Sequence, residues 1–331
     1  MILLAQVPGF RGNQTSLNPV GPAAAHIEHT FSEMFWITTA VFCLVMIAIV
    51  IAVARRRHSL DDIPDPQPTG EASDRRATQA VGAAMFITVA LLFVMLISSF
   101  RTSRALGAMN NDQALTINVY GHQWWWEVEY PNDNEPYKIV ETANEIHVPV
   151  GVPIRIHGTS RDVIHSFWAP NVQGKRDLMP GYETEVMMQI DQPGRWRGQC
   201  AEYCGEQHAH MSFFFVAEPL KQFEQWMNAQ AQTSSAATNA QTQHGQQVFL
   251  THACVMCHTI RGTTAGARVG PDLTHLASRS TIAAGELPNS IGNLAGWILN
   301  PQSIKPGCRM PPNQISGSDL QDLLAYLETL R

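Results

Sequence analysis

The chain has 331 residues, a formal net charge of −6, 45% hydrophobic residues and six cysteines. That length can hold two or three compact units, and six cysteines are too few to serve as a disulfide framework for it. Residues 105–225 carry 16 acids and 8 bases, whereas residues 244–331 carry 5 and 6. An acidic middle argues against nucleic acid and suits a basic or dipolar protein surface.

Residues 1–30 lack a basic start followed directly by an apolar core and a small-residue cleavage site, so they show no clear signal peptide and read as an external segment, with an uncleaved or a trimmed start as the two alternatives. From Phe31 to Ala54 the chain is almost wholly apolar, closing on Arg55-Arg56-Arg57, and Val81 to Phe100 is a second apolar run. Each is long enough to cross a bilayer, which takes about 20 residues at 1.5 Å rise. Residues 31–104 therefore read as a transmembrane helix hairpin with spans at 31–54 and 81–100 and a connection at 55–80. That connection holds Arg55, Arg56, Arg57, Arg75 and Arg76, against Arg11 alone in the first thirty residues. The positive-inside rule makes the connection cytoplasmic and both termini external. Arg101 and Arg104 weigh the other way but are fewer. The stretch 61–70 reads as an irregular loop. Glu33, near the outer end of the first span, reads as an interfacial or partner-facing carboxylate.

Residues 105–227 read as all-β. Leu115 to Tyr120 alternates apolar and polar residues, as a half-buried strand does, and Glu145 to Pro153 and Ile154 to His157 continue as strands broken by Gly and Pro. Between them stands Gly121-His-Gln-Trp124-Trp125-Trp126. Adjacent tryptophans on a strand point to alternate faces, so at least one is expected to face outward or meet another protein; sheet packing is the plainer alternative. The chemistry concentrates in Cys200-Ala-Glu-Tyr-Cys204-Gly-Glu-Gln-His208-Ala-His-Met211. Thiolate, imidazole and thioether are a copper donor set, and two thiolates on one loop can bridge two coppers. A local Cys200–Cys204 disulfide is the alternative. His165, 35 residues ahead of Cys200, offers a second imidazole that two sheet strands can bring back to the loop.

The Cys200-to-Met211 run resembles the dinuclear CuA loop of cytochrome c oxidase subunit II; similar loops occur in nitrous oxide reductase and some nitric oxide reductases. Gly121-His-Gln-Trp124 and His165-Ser-Phe-Trp…Pro170…Asp177…Pro180-Gly181 match the same family. The resemblance implies a cupredoxin-like fold and a copper ligand set of His165, Cys200, the carbonyl of Glu202, Cys204, His208 and Met211. It implies that the Glu202 side chain reaches a Mg²⁺ or Mn²⁺ shared with the catalytic subunit, with a solvated loop carboxylate as the alternative. It makes Trp124 the point where electrons arrive and sets Trp125 and Trp126 at the subunit boundary. His147, His157 and His210 fall outside the pattern and read as surface or packing residues. Many family members carry a glutamate where the second span begins. Here Ala77 to Ala84 has no carboxylate, so that proton-admitting role is not assigned. A ligand set with every position filled suits electron transfer rather than bond chemistry, since catalytic metals keep a position open.

Residues 228–243 contain no charge, no aromatic residue and no aliphatic larger than alanine. Such a stretch buries too little surface to order itself and reads as a flexible tether. The unit at 244–331 opens with Cys254-Val-Met-Cys257-His258, the attachment motif for c-type haem. A thioredoxin-like dithiol is the rival, but no βαβ pattern surrounds it. Lys305-Pro-Gly-Cys308-Arg-Met310-Pro-Pro312 puts a methionine in a Pro-rich loop, and Ser318-Asp-Leu-Gln321 reads as a capping box for a closing helix with Leu320, Leu323, Leu324, Leu327 and Tyr326. This order resembles class I cytochrome c. It implies an all-α domain in which Cys254 and Cys257 attach the haem, His258 and Met310 are axial ligands and the Pro271 carbonyl orients His258. Cys308 and Cys43 have no family role and read as a half-buried residue and a span residue.

The whole chain then resembles subunit II of a caa3-type haem–copper oxidase: a multidomain protein with a hairpin, a cupredoxin-like domain and a fused cytochrome c. The resemblance implies a cytochrome-c oxidase subunit that relays electrons from haem c to CuA and on to a haem–copper subunit I, where oxygen is reduced. It implies subunit III as a further partner, a cytochrome c or bc1-type complex as external donor, and a multi-pass place in a bacterial inner membrane with copper and haem on the periplasmic side. A CuA-type nitric oxide reductase shares these motifs. A membrane-anchored copper or haem delivery protein is expected to leave its ligands exposed.

Overall fold

The computed structural model describes residues 12–55, 71–109, 113–131 and 139–331. Two compact units separate: His26–Met109, and the residues up to Ala25 together with those from Asn110 to Arg331.

The first unit is built on α1 (Pro22–Arg55) and α2 (Glu71–Gly107), both long and apolar enough to cross a membrane. Phe42, Val53, Phe86 and Phe100 are exposed along them, an arrangement that suits lipid as solvent and would be costly in water. Both helices overrun the apolar stretches because Glu, Arg, Gln and Ala on their polar flanks are good helix formers. Between the helices, the hydroxyls of Thr30 and Thr102 lie 2.6 Å apart and Ser98 donates to Glu33. Glu33 is thus held by side chains within the hairpin, with His29 beside it at 3.5 Å. Arg11, Arg56, Arg57 and the loop 61–70 lie outside the described residues.

In the second unit two five-stranded sheets face each other. One has the order β3 (Val140–Ala143), β2 (Trp125–Tyr130), β1 (Leu115–His122), β5 (Ile154–Ser160), β8 (Thr184–Met188); the other has β4 (Glu145–Pro149), β10 (Ser212–Glu218), β9 (Gly194–Cys200), β6 (His165–Trp168), β7 (Arg176–Leu178). β1 runs parallel to β5 and β10 parallel to β4, the remaining pairs being antiparallel. Alternation along β1 sends Ile117 and Val119 inward, where they join Val128, Ile146, Val148, Ile156, Phe167, Phe213 and Phe215 in one core. This is the cupredoxin-like sandwich. Val20 completes that core from the N-terminal side, and Asn171 binds the same segment by donating to the carbonyls of Gly12 and Asn18.

The helix α3 (Leu220–Gln230) closes the sandwich by stacking Trp226 on His147, ring centroids 4.1 Å apart. Beyond it the structure departs from the tether expected at 228–243. α4 (Ala240–Thr251) already includes residues 240–243, opened by a capping box between Asn239 and Thr242. Between the helices, Ser234 donates through both its main-chain N–H and its hydroxyl to the Arg261 carbonyl, and His275 Nε2 lies 3.1 Å from the Gln232 oxygen. The segment is ordered by lending its polar main chain to the cytochrome domain, which composition alone does not disclose.

That domain packs α4 against α6 (Gly317–Leu327), with α5 (Ile291–Leu299) alongside. Val248, Phe249, Ile298, Leu323, Tyr326 and Leu327 form its core. A short hairpin, β11 (Thr281–Ile282) and β12 (Leu287–Pro288), stands apart. The cap of α6 is Ser316, which accepts from Asp319 N–H, rather than the expected Ser318. Gly317 therefore opens the helix two residues earlier than the Ser318-to-Gln321 pattern suggests.

Candidate metal and haem sites

Strand pairing brings the copper-type donors together. β6 and β9 lie side by side with Phe167 opposite Cys200, so His165 at the start of β6 reaches back to the end of β9. The following loop carries Cys204 and His208, and Met211 is the last residue before β10. Cys200 Sγ lies 3.8 Å from Cys204 Sγ, 3.8 Å from His165 Nδ1 and 3.2 Å from the Glu202 carbonyl oxygen. Cys204 Sγ lies 3.7 Å from His208 Nδ1 and 3.4 Å from Met211 Sδ. Each sulfur thus has one imidazole beside it, with a carbonyl on one side and a thioether on the other. The sulfur separation is nearly twice a disulfide bond of about 2.05 Å, and both cysteines are free. Gly121 is required here, because a Cβ on it would fall 2.7 Å from the His165 ring.

The electrostatics suit a cation between the sulfurs. The Cys204 hydrogen bond drives the Cys200 thiol far below its ordinary value, and the same contact with burial pushes Cys204 far above it. Two buried thiols in contact resist becoming two adjacent thiolates, a repulsion that a positive ion between them relieves. His165 is fully buried and its Nε2 sits 2.9 Å from the Asp162 carboxylate. Burial works against that carboxylate, yet hydrogen bonds from His165 and from the Gln123 and Val163 N–H groups hold Asp162 below the usual range. Soft sulfur, two imidazoles and two weak ligands fit a pair of copper ions. The Glu202 side chain is exposed.

The tryptophan run is not a strand with an outward face. Gln123 and Trp124 form the turn between β1 and β2, and none of the three tryptophans is exposed. Trp126, expected at a subunit boundary, is fully buried: its ring meets His165, Phe167 and Phe213 and its N–H donates to the Met211 carbonyl at 3.0 Å. Trp125 stacks on His122 at 4.3 Å. Trp124 donates its indole N–H to the Cys204 carbonyl at 3.0 Å, and Gln123 donates to the same oxygen at 2.9 Å.

The cytochrome domain covers this turn. A cavity of about 480 Å³ has Cys254, Cys257, His258 and Met310 on its walls together with Trp124 and Trp125. His258 Nδ1 lies 2.7 Å from the Pro271 carbonyl oxygen, which fixes the ring and leaves Nε2 for a ligand. Burial holds this imidazole below its ordinary value, so it stays neutral and able to coordinate. Gly270 permits the approach, since its Cβ would fall 2.7 Å from the ring. An apolar cavity bearing two thiols, an imidazole and a thioether fits a covalently attached haem.

Two further features were missed from sequence. Arg268 reaches from the cytochrome domain to Glu127 at 2.9 Å, to Glu141 at 2.9 Å and to Glu129. Glu127 and Glu129 share a face of β2, and Glu141 lies opposite Glu129, so two acids spaced by two on a strand were the available signal. Burial raises Glu141 to about 7 despite Arg268. Burial likewise works against Glu127, but His122 and the two arginines Arg268 and Arg161 keep it below its usual value. The second feature is Lys305, almost fully buried, whose ammonium burial pushes down to about 8.

Comparison with known proteins matches residues 132–217 to "Cytochrome C oxidase subunit II, periplasmic domain" and residues 242–331 to "Cytochrome c". "Cytochrome c oxidase subunit 2" of Alkalihalophilus pseudofirmus is 31% identical over 327 residues, covering 96% of this chain and 91% of that protein. The chain belongs to the cytochrome c oxidase subunit II family. The Bacillus subtilis subunit 2 is 31% identical over 231 residues, 66% of this chain and 63% of that one. The crystal structure of the periplasmic domain of subunit II of cytochrome oxidase of Bradyrhizobium japonicum is 34% identical, covers 34% of this chain and 91% of that chain, and superposes with a TM-score of 0.32. Relatives bearing the subunit 2 name are components of an oxidoreductase complex. Membership of the subunit II family implies dinuclear copper, and the cytochrome c match implies haem c. The apolar helices suggest membrane anchoring, and the periplasmic family suggests that these domains lie on the outer side.

Proposed function

We propose that this chain is the electron-receiving subunit of a respiratory cytochrome c oxidase, with a haem c and a CuA pair held side by side outside a bacterial inner membrane. The observation that carries the reading is the joint arrangement of two complete donor sets around Trp124. His165, Cys200, the Glu202 carbonyl, Cys204, His208 and Met211 would hold the copper; Cys254 and Cys257 would anchor the haem, with His258 and Met310 as its axial ligands and Pro271 orienting His258. When bound, the two groups supply one-electron redox capacity.

The chain's own residues do the rest. The buried thiol pair stays together without forming a disulfide, Asp162 orients His165, and Trp126 fixes the main chain at Met211. Trp124 contributes its indole to the copper loop and its ring to the haem cavity, which supports its role as the relay between them. The cytochrome domain reaches Trp124 in this chain, so a free donor would meet the cytochrome domain first. The exposed Glu202 carboxylate is free to take a Mg²⁺ or Mn²⁺ shared with subunit I. Oxygen reduction belongs to that haem–copper subunit, with subunit III as a further partner and a cytochrome c or bc1-type complex as donor.

The test is Cys204→Ser. The variant is expected to lose the mixed-valence copper signal in electron paramagnetic resonance while keeping its haem spectrum. An unchanged copper signal would refute the ligand set. Oxygen consumption by the purified complex, against nitric oxide consumption, checks the terminal acceptor.

A further inference from the structure

Lys305 carries a charge where the fold supplies little to balance it. Its side chain is 3% exposed, and no carboxylate among the described residues lies within ion-pairing distance. Its ammonium donates instead to two main-chain oxygens, Trp124 of the copper domain at 3.0 Å and Ala283 of the cytochrome domain at 3.2 Å. A buried cation satisfied only by carbonyls is expensive. A methionine of similar volume could fill the space without that cost.

The turn that supplies the second oxygen is also strained. Ala283 and Ala284 have φ of 55° and 60°, the left-handed region that a side chain disfavours and that usually falls to glycine or asparagine. Both carbonyls of this turn are in use. Ala283 O accepts from Lys305, and Ala284 O accepts from the N–H of Ser212 at 3.0 Å and from its hydroxyl at 2.9 Å. Ser212 directly follows Met211, and Trp124 donates to the Cys204 oxygen. The two contacts therefore reach the copper loop by separate routes, at Cys204 through Trp124 and beside Met211 through Ser212. Strain retained at such a contact points to a role for the geometry.

Lys305 also lines the cavity that holds His258 and Met310, and its own main chain is fixed by a bond from its N–H to the Pro301 carbonyl at 2.8 Å. We infer that Lys305 is a positioning residue for electron transfer between the haem and copper sites, setting the register of the cytochrome domain on Trp124. This rests on the relay reading above.

The experiment uses the full chain in its oxidase complex, unmodified and as Lys305→Met and Lys305→Gln. Haem absorption and the copper resonance signal report occupancy of each site. Pulsed electron paramagnetic resonance gives the distance distribution between the two paramagnets, and flash photoreduction gives the haem-to-copper transfer rate. Both variants are expected to keep both signals, to broaden a single narrow distance, and to lose at least tenfold in rate. A distance and a rate within twofold of the unmodified complex overturn the inference. So does loss of the haem spectrum in both variants, which would assign Lys305 to the internal fold of the cytochrome domain. An unmodified complex without the two signals would sink the relay reading itself, and the inference with it.

Discussion

His165 presents Nδ1 to Cys200 Sγ and Nε2 to the Asp162 carboxylate, 2.9 Å away. The two ring nitrogens are therefore committed to different tasks. A carboxylate behind an imidazole fixes its orientation and raises its basicity, typically worth about 10–100-fold in metal affinity. Asp162→Asn keeps the shape but loses the charge. Competition with a copper chelator is expected to show weaker retention by about that factor, with the haem spectrum unchanged. Equal retention would mean that the ring is held by packing alone.

The Glu127, Glu129 and Glu141 pocket predicts a pH dependence. Burial raises Glu141 in the folded chain from 4.5 to about 7, so the folded state holds its proton more tightly than the unfolded state. Stability is fully present below pH 4.5 and falls as pH rises to about 7. The loss is at most about 3.5 kcal/mol at roughly 1.4 kcal/mol per pH unit across that window. Glu127, held below its usual value, acts only beneath that window. Calorimetry of Glu141→Gln is expected to flatten the slope between pH 4.5 and 7. A slope identical to the unmodified chain would remove Glu141 from the argument.

Gly270 predicts a steric effect at the haem side. A methyl group there would meet the His258 ring at 2.7 Å, and the ring is held from behind by Pro271. Overpacking of this kind costs about 1–3 kcal/mol. Gly270→Ala is expected to lower the thermal midpoint of the cytochrome domain and to alter its haem absorption, leaving the copper signal intact. A normal haem spectrum at full stability would show that the ring has room to yield.

Much of this architecture was legible in the sequence because its signals are local. The spacing of Cys200, Cys204, His208 and Met211 fits one loop, and Cys254, Cys257 and His258 fit another. The apolar runs after Phe31 and from Val81 mark the helices. What was missed depends on contacts between distant segments. Trp126 was expected beside Trp125 at a subunit boundary, and only the closing of two sheets makes it core. The stretch after Asn228 is poor in apolar residues, yet Arg261 and His275 order it through its main chain. Arg268 has no motif around it and Lys305 only the Met310 loop, and their partners in the copper domain, Glu127 and Trp124, lie more than a hundred residues away.

The segment between α3 and α4, Ala231 to Asn239, has a further consequence for kinetics. Nine residues span at most about 30 Å when fully extended. A cytochrome domain that lifted off Trp124 would stay within that radius, at an effective concentration on the order of millimolar. Redocking then becomes a first-order event, independent of how much protein the membrane holds. The contacts at Arg268 and Lys305 need only choose the orientation of return, because covalent connection already guarantees the encounter.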